Sequence, residues 1–161
     1  MFAALVISAL LGQAAPDLTV YVFTTTDCPI SNRYAPEIQR LAKKFDSKAR
    51  FILVYPVPTD SQSMIREHQQ KFGYALESIR DTGQKLLKQF GVTVTPEVAV
   101  TKAGQLVYRG RIDDRYVELG RERPAPTNRD LENALDMLIA GKSLAVRETQ
   151  AVGCILADLV K

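Results

Sequence analysis

The spacing of apolar and polar positions predicts alternating strands and helices. Leu18 to Thr24 is an apolar, β-branched run with the character of a buried strand. It stops at Asp27-Cys28-Pro29, after which Ile30, Tyr34, Ile38, Leu41, Ala42 and Phe45 recur at helical spacing. Arg50 to Tyr55 is a second apolar strand, ended by Pro56 and Pro58. Thr59-Asp60-Ser61 offers N-cap residues for a helix through Met64, Ile65 and His68 to Phe72, closed by Gly73. Leu76 to Arg80 is a short candidate strand. Asp81-Thr-Gly then opens a helix with Leu86, Leu87 and Phe90 facing inward, ending at Gly91. Val92 to Val100 is β-rich, Lys102-Ala-Gly-Gln105 is a turn, and Leu106 to Ile112 is the return strand of a hairpin. Arg115 to Thr127 is polar, contains Pro124 and Pro126, and reads as a loop. Thr127 or Asn128 caps a last helix carrying Leu131, Leu135, Leu138 and Ile139, stopped by Gly141. Such an order implies an α/β fold: a central mixed sheet, mostly parallel with an antiparallel edge, covered by helices.

Three segments follow from this pattern. Residues 1–14 have the character of a secretory signal: Phe2 to Leu11 is apolar except for Ser8, and small residues flank a cut near Gly12-Gln-Ala14. No Lys or Arg precedes the apolar run, so a buried first element or a late start codon is the alternative. The run is far below the ~20 residues that span a bilayer. Residues 15–141 form one domain, and residues 142–161 are a tail carrying Cys154. Export implies an oxidising periplasmic or extracellular compartment, where Cys28 and Cys154 could pair.

The chain has 161 residues, 46% hydrophobic and 24% charged, which suits one globular domain with a sizeable core. The net charge of +3 comes without a basic run or aromatic–basic interleaving, which argues against nucleic acid. No haem-attachment, P-loop or dinucleotide motif is present, so no cofactor is expected. His68 is the sole histidine and is far in sequence from Cys28; with no clustered ligands around it, no metal site is expected.

Cys28 sits where a strand ends and a helix begins, with Pro29 suited to the first helical turn. The unpaired N–H groups and partial positive charge there favour a thiolate, so Cys28 is expected to be nucleophilic, with a lowered pKa. The alternative is a small buried hydrophobe, the common fate of a free cysteine. Thr95-Pro96 interrupts a strand-like run, and an edge-strand proline is the plain explanation. Arg109 and Arg111 lie in the return strand, where charges are commonly a solvated face. Cys154 is either an inert tail thiol or a partner of Cys28.

Several of these pieces together resemble a known family: the strand before Asp27-Cys28-Pro29-Ile30-Ser31, Pro36 eight residues after Cys28, Thr95-Pro96-Glu97, Gly104 to Asp114, Leu131 to Lys142, and Val152-Gly153-Cys154. The chain is similar to the thioredoxin-like superfamily, and within it to peroxiredoxin-like redoxins of the alkyl hydroperoxide reductase/thiol-specific antioxidant group. Two positions depart from the patterns. Ser31 stands where C-x-x-C has its second cysteine, and Tyr21 stands where peroxiredoxins carry a proline. The resemblance implies a thioredoxin-like fold and a thiol oxidoreductase in which Cys28 attacks a protein disulfide or a small peroxide. It also implies a cis Thr95–Pro96 bond beside Cys28. Thr25 and Arg111 would polarise a peroxide O–O bond, and Cys154 would resolve the oxidised Cys28. Other readings on the same fold are a binding module without turnover and a Sco-like redox or copper chaperone. No downstream histidine supports the copper reading.

Overall fold

The computed structural model describes residues 16–156; the signal segment expected at residues 1–14 lies outside them. Five strands form the central sheet: β1 (Leu18–Phe23), β2 (Ala49–Tyr55), β3 (Glu77–Arg80), β5 (Glu97–Lys102) and β6 (Gln105–Gly110). Between β3 and β5 comes a two-residue strand, β4 (Val94–Thr95). The sheet order is β3-β2-β1-β5-β6. Strands β1, β2 and β3 run parallel, whereas β5 and β6 are antiparallel additions on the other side of β1. This is the mixed sheet expected from the sequence. The helices are α1 (Pro29–Arg33), α2 (Ala35–Lys44), α3 (Gln62–Lys71), α4 (Lys85–Phe90) and α5 (Asp130–Ile139).

Strand β2 is buried at every position but Arg50, because both faces of the sheet are covered. The covering layers are unequal. On one face Val20, Val22, Leu53 and Val100 pack with Ile38 and Leu41 of α2, Ile65 of α3 and Leu131 and Leu135 of α5. On the other, Phe23, Val54 and Ala99 meet Phe90 of α4, Val92 and, from the tail, Leu156. The smaller cluster needs the tail to complete it.

Four local expectations are corrected. The helix starting at Pro29 is broken at Tyr34 into α1 and α2, two residues ahead of Pro36, whose ring nitrogen cannot bond the carbonyl of Asn32. The cap of α5 is Arg129 without a side-chain bond; the Thr127 and Asn128 amides instead donate to Asp114 Oδ1 at 2.7 and 2.8 Å. The polar stretch 115–127 contains a small hairpin, β7 (Tyr116–Glu118) and β8 (Arg121–Glu122). The tail is not loose either. Arg109 N donates to Arg147 O at 2.9 Å and Thr149 N to Arg109 O at 3.0 Å, extending the edge at β6. Farther on, β9 (Cys154–Ile155) pairs antiparallel with β4, and Leu156 N donates to Thr93 O at 3.0 Å.

Candidate redox site

Cys28 follows the carboxyl end of β1 and is the N-cap of α1, with Pro29 at the first helical position. The cap geometry turns the amide of Ser31 towards sulfur: Ser31 N lies 3.5 Å from Cys28 Sγ. Asn32 N donates to Cys28 O at 3.0 Å and fixes the turn. The side chain of Ser31, where a second cysteine is absent, is buried, and its hydroxyl has no partner among the described residues.

The partner sulfur comes from the other end of the chain. Cys28 and Cys154 form a disulfide, with Cα atoms 6.2 Å apart, inside the range such bonds require. Strand pairing carries Cys154 there, since Thr95 and Cys154 are register partners. The Thr95–Pro96 bond is cis, as expected, and the Thr95 carbonyl oxygen lies 3.2 Å from Cys28 Sγ. The fold thus brings Cys28, Thr95–Pro96 and Cys154 to one point.

Two glycines permit the tail to lie so close. A β-carbon on Gly153 would run into the carbonyl of Thr95 and come within 3.1 Å of Pro96 N. The requirement is close approach of two backbones, not unusual dihedral freedom at Gly153. Gly110, at φ +141°, faces the backbone of Thr149 in the same way.

The remaining candidates are held differently. Thr25 is buried, with its hydroxyl unpartnered among the described residues. Arg111 Nε donates to Asp130 Oδ2 at 2.7 Å, so its guanidinium is paired with α5; it lines a shallow cleft with Asp114, Arg123, Gln150 and Val152. Arg109 bonds the carbonyls of Phe90 and Gly91 and pairs with Glu148 of the tail and, at 3.8 Å, with buried Glu97. Burial pushes the Glu97 carboxyl up, against the downward pull of the Thr93 and Val94 amides. Among the described residues neither arginine bonds Cys28.

Sequence reasoning missed one support. His68 is buried, with Nδ1 2.8 Å from Tyr55 Oη and Nε2 2.7 Å from Asn32 Oδ1. Asn32 in turn donates to Thr26 O at 3.4 Å, and Thr26 Oγ1 donates to Asp60 at 2.6 Å. The chain of bonds joins α3 to the loop that carries Cys28. Burial lowers the His68 pKa. Asn32 Oδ1 can only accept, so Nε2–H donates to it, and in the neutral ring Nδ1 then accepts from Tyr55 Oη. Separation in sequence hid this link, since Asn32 and His68 lie on different helices.

Neither a family model nor a curated protein sequence matches the chain. Solved structures do. An uncharacterized conserved protein from Geobacillus kaustophilus superposes with a TM-score of 0.76 at 24% identity, covering 88% of this chain and 77% of that one. The thioredoxin domain of a thiol-disulfide oxidoreductase from Bacteroides vulgatus gives 0.56 at 10% identity, over 78% and 81% of the two chains. The fold is thioredoxin-like. A secreted Mycobacterium tuberculosis disulfide oxidoreductase, homologous to Escherichia coli DsbE, gives 0.52 at 15% identity, covering 78% and 81%. Within the thioredoxin-like fold, this chain's disulfide is formed with the tail and not inside the Cys28 turn. No helix of the described residues is long and apolar enough to cross a membrane.

Proposed function

We propose that this protein is a thiol–disulfide oxidoreductase whose redox couple is Cys28 and Cys154. The observation that carries the reading is the disulfide between a strand-to-helix N-cap cysteine and a tail cysteine, at the Thr95–Pro96 turn. In the reduced protein the Cys28 thiolate attacks a substrate disulfide, forming a mixed disulfide and releasing one substrate thiolate. The Cys154 thiolate then attacks Cys28 Sγ. The second substrate sulfur leaves with the electron pair, and the Cys28–Cys154 bond remains. Two electrons pass to the substrate. Residues 15–141 supply the scaffold and the tail supplies the second thiol.

Peroxide is the second reading, and it rests on Thr25, three residues before Cys28, whose buried hydroxyl has no partner among the described residues. The cation that chemistry calls for, Arg111, is occupied by Asp130. Disulfide exchange needs no such cation and is preferred. An exported location suits this chemistry: residues 1–14 have signal character, and the Mycobacterium neighbour is described as secreted.

The test is turbidimetric reduction of insulin by dithiothreitol with catalytic amounts of the protein. Acceleration by the wild type, lost in Cys28→Ser and Cys154→Ser, is expected. A rate equal to dithiothreitol alone would overturn the reading. Consumption of hydrogen peroxide by the reduced protein, without insulin reduction, would favour the peroxide reading.

A further inference from the structure

Two docks hold the tail that brings Cys154 to Cys28, one at either end of the span Gln150 to Gly153. The upstream dock is on β6. There Arg109 N donates to Arg147 O, Thr149 N donates to Arg109 O, and Thr149 Oγ1 accepts from Arg111 N at 3.0 Å. The downstream dock is on β4, where Thr95 and Cys154 are register partners and Leu156 N donates to Thr93 O. Once the disulfide is open, these docks keep the Cys154 thiol near Cys28. The nearness of a second thiol acts as an effective concentration, set by how the connecting chain is held.

One side chain reaches both docks. Upstream, the Arg109 guanidinium pairs with Glu148 of the tail. It also donates to the carbonyls of Phe90 and Gly91 at the end of α4, and its Nε lies 3.8 Å from Glu97 Oε1. Glu97 belongs to the downstream dock. Its Oε2 accepts from Thr93 N at 3.0 Å and Val94 N at 3.4 Å, bracing the backbone that β9 pairs with. Gly91 leaves room for this arrangement, since a β-carbon there would lie 2.5 Å from Arg109 Nη1. A guanidinium suits the place because its planar fork presents several donors at fixed angles.

We infer that Arg109 is a positioning residue for the redox couple: by joining Glu148 of the tail to the Glu97-braced β4 segment, it sets the effective concentration of the Cys154 thiol at Cys28. Among the described residues it bonds neither sulfur. The inference rests on the redox couple proposed above and names the side chain that governs its equilibrium. In that equilibrium the two cysteine thiols give up two electrons and two protons as the Cys28–Cys154 bond forms. One external disulfide takes them up and becomes two thiols.

The probe is a glutathione redox buffer. The full chain is equilibrated over a range of reduced-to-oxidised ratios and quenched with acid, and mass spectrometry reads the fraction carrying the disulfide. Arg109→Ala should shift the equilibrium towards the dithiol by about tenfold, the scale of one charged hydrogen bond. Arg109→Lys should recover part of this. Glu148→Ala should shift it by about threefold, and adding it to Arg109→Ala should change little more, because Glu148 acts through Arg109. The alkylation rate of Cys28 in the reduced variants should match the wild type. A wild-type equilibrium in folded Arg109→Ala would overturn the inference, as would fully additive effects of the two substitutions. Glu148 is exposed, so Glu148→Ala keeps the fold and decides the question if Arg109→Ala does not fold; an unchanged equilibrium there overturns the inference. A wild-type disulfide that does not exchange with glutathione, in a protein that does not reduce insulin, would overturn the redox couple itself.

Discussion

Gly153 and Thr95 are packed backbone to backbone, and no side chain fits between them. This contact lets β9 lie against β4 and sets Cys154 opposite Cys28. Gly153→Ala is therefore expected to lift the tail from Thr95, at an overpacking cost of ~1–3 kcal/mol. Two titratable thiols after mild oxidation, where the wild type has none, would report it. Normal disulfide formation in the variant would mean that the tail docks without this contact.

Reduction should lower stability substantially, because the disulfide spans a sequence separation of 126 residues. Chain entropy puts closure of a loop on the order of 100 residues at about 4–5 kcal/mol. Urea unfolding with and without dithiothreitol measures the difference. An unchanged midpoint would show that the unfolded chain gains nothing from the broken link.

His68 gives a pH dependence with a definite sign. Its folded pKa is lowered by burial, so the unfolded state binds the proton more readily. The contribution is fully present above the unfolded value of ~6.5. It is lost as pH falls from there towards the lower folded value. Stability measured between pH 8 and 5 should decline below about 6.5, and His68→Gln should flatten that decline. An identical slope in the variant would remove His68 as the cause.

Arg111→Ala separates a structural from a catalytic role. Loss of the Arg111 pair strips the largely buried Asp130 carboxylate of its countercharge and leaves it the Asn128 Nδ2 bond, at a cost of ~1–3 kcal/mol. Thermal or urea unfolding should register that loss, while insulin reduction per folded molecule should change less than about twofold, given that the guanidinium is paired away from Cys28. A large fall in turnover with stability intact would place Arg111 at the thiolate instead.

Those elements whose signals are local were legible in the sequence. β1, β2 and the β5–β6 hairpin follow from apolar runs, Ser61 caps α3 as expected, and Gly73, Gly91 and Gly141 close helices with positive φ. Cys28 was legible because a strand, a cysteine and a proline meet there. What stayed hidden depends on distant partners. The tail has no apolar period of its own; its order comes from the edges at β4 and β6 and from two glycines facing backbone. The β7–β8 hairpin has strands of only three and two residues, too short for an alternating pattern to show. The Asp114 staple that displaces the cap of α5 is a side chain thirteen residues before Thr127.

The distance between the two cysteines also has a history in time. At typical synthesis rates Cys28 precedes Cys154 by roughly 6 to 25 seconds. Throughout that interval the nascent chain holds a lone thiol. A product stopped within α5 would have every strand of the central sheet and no partner for Cys28. Closure of the bond is thus a chemical record that translation has passed residue 154, and prematurely terminated chains carry a thiol that a quality-control system can detect.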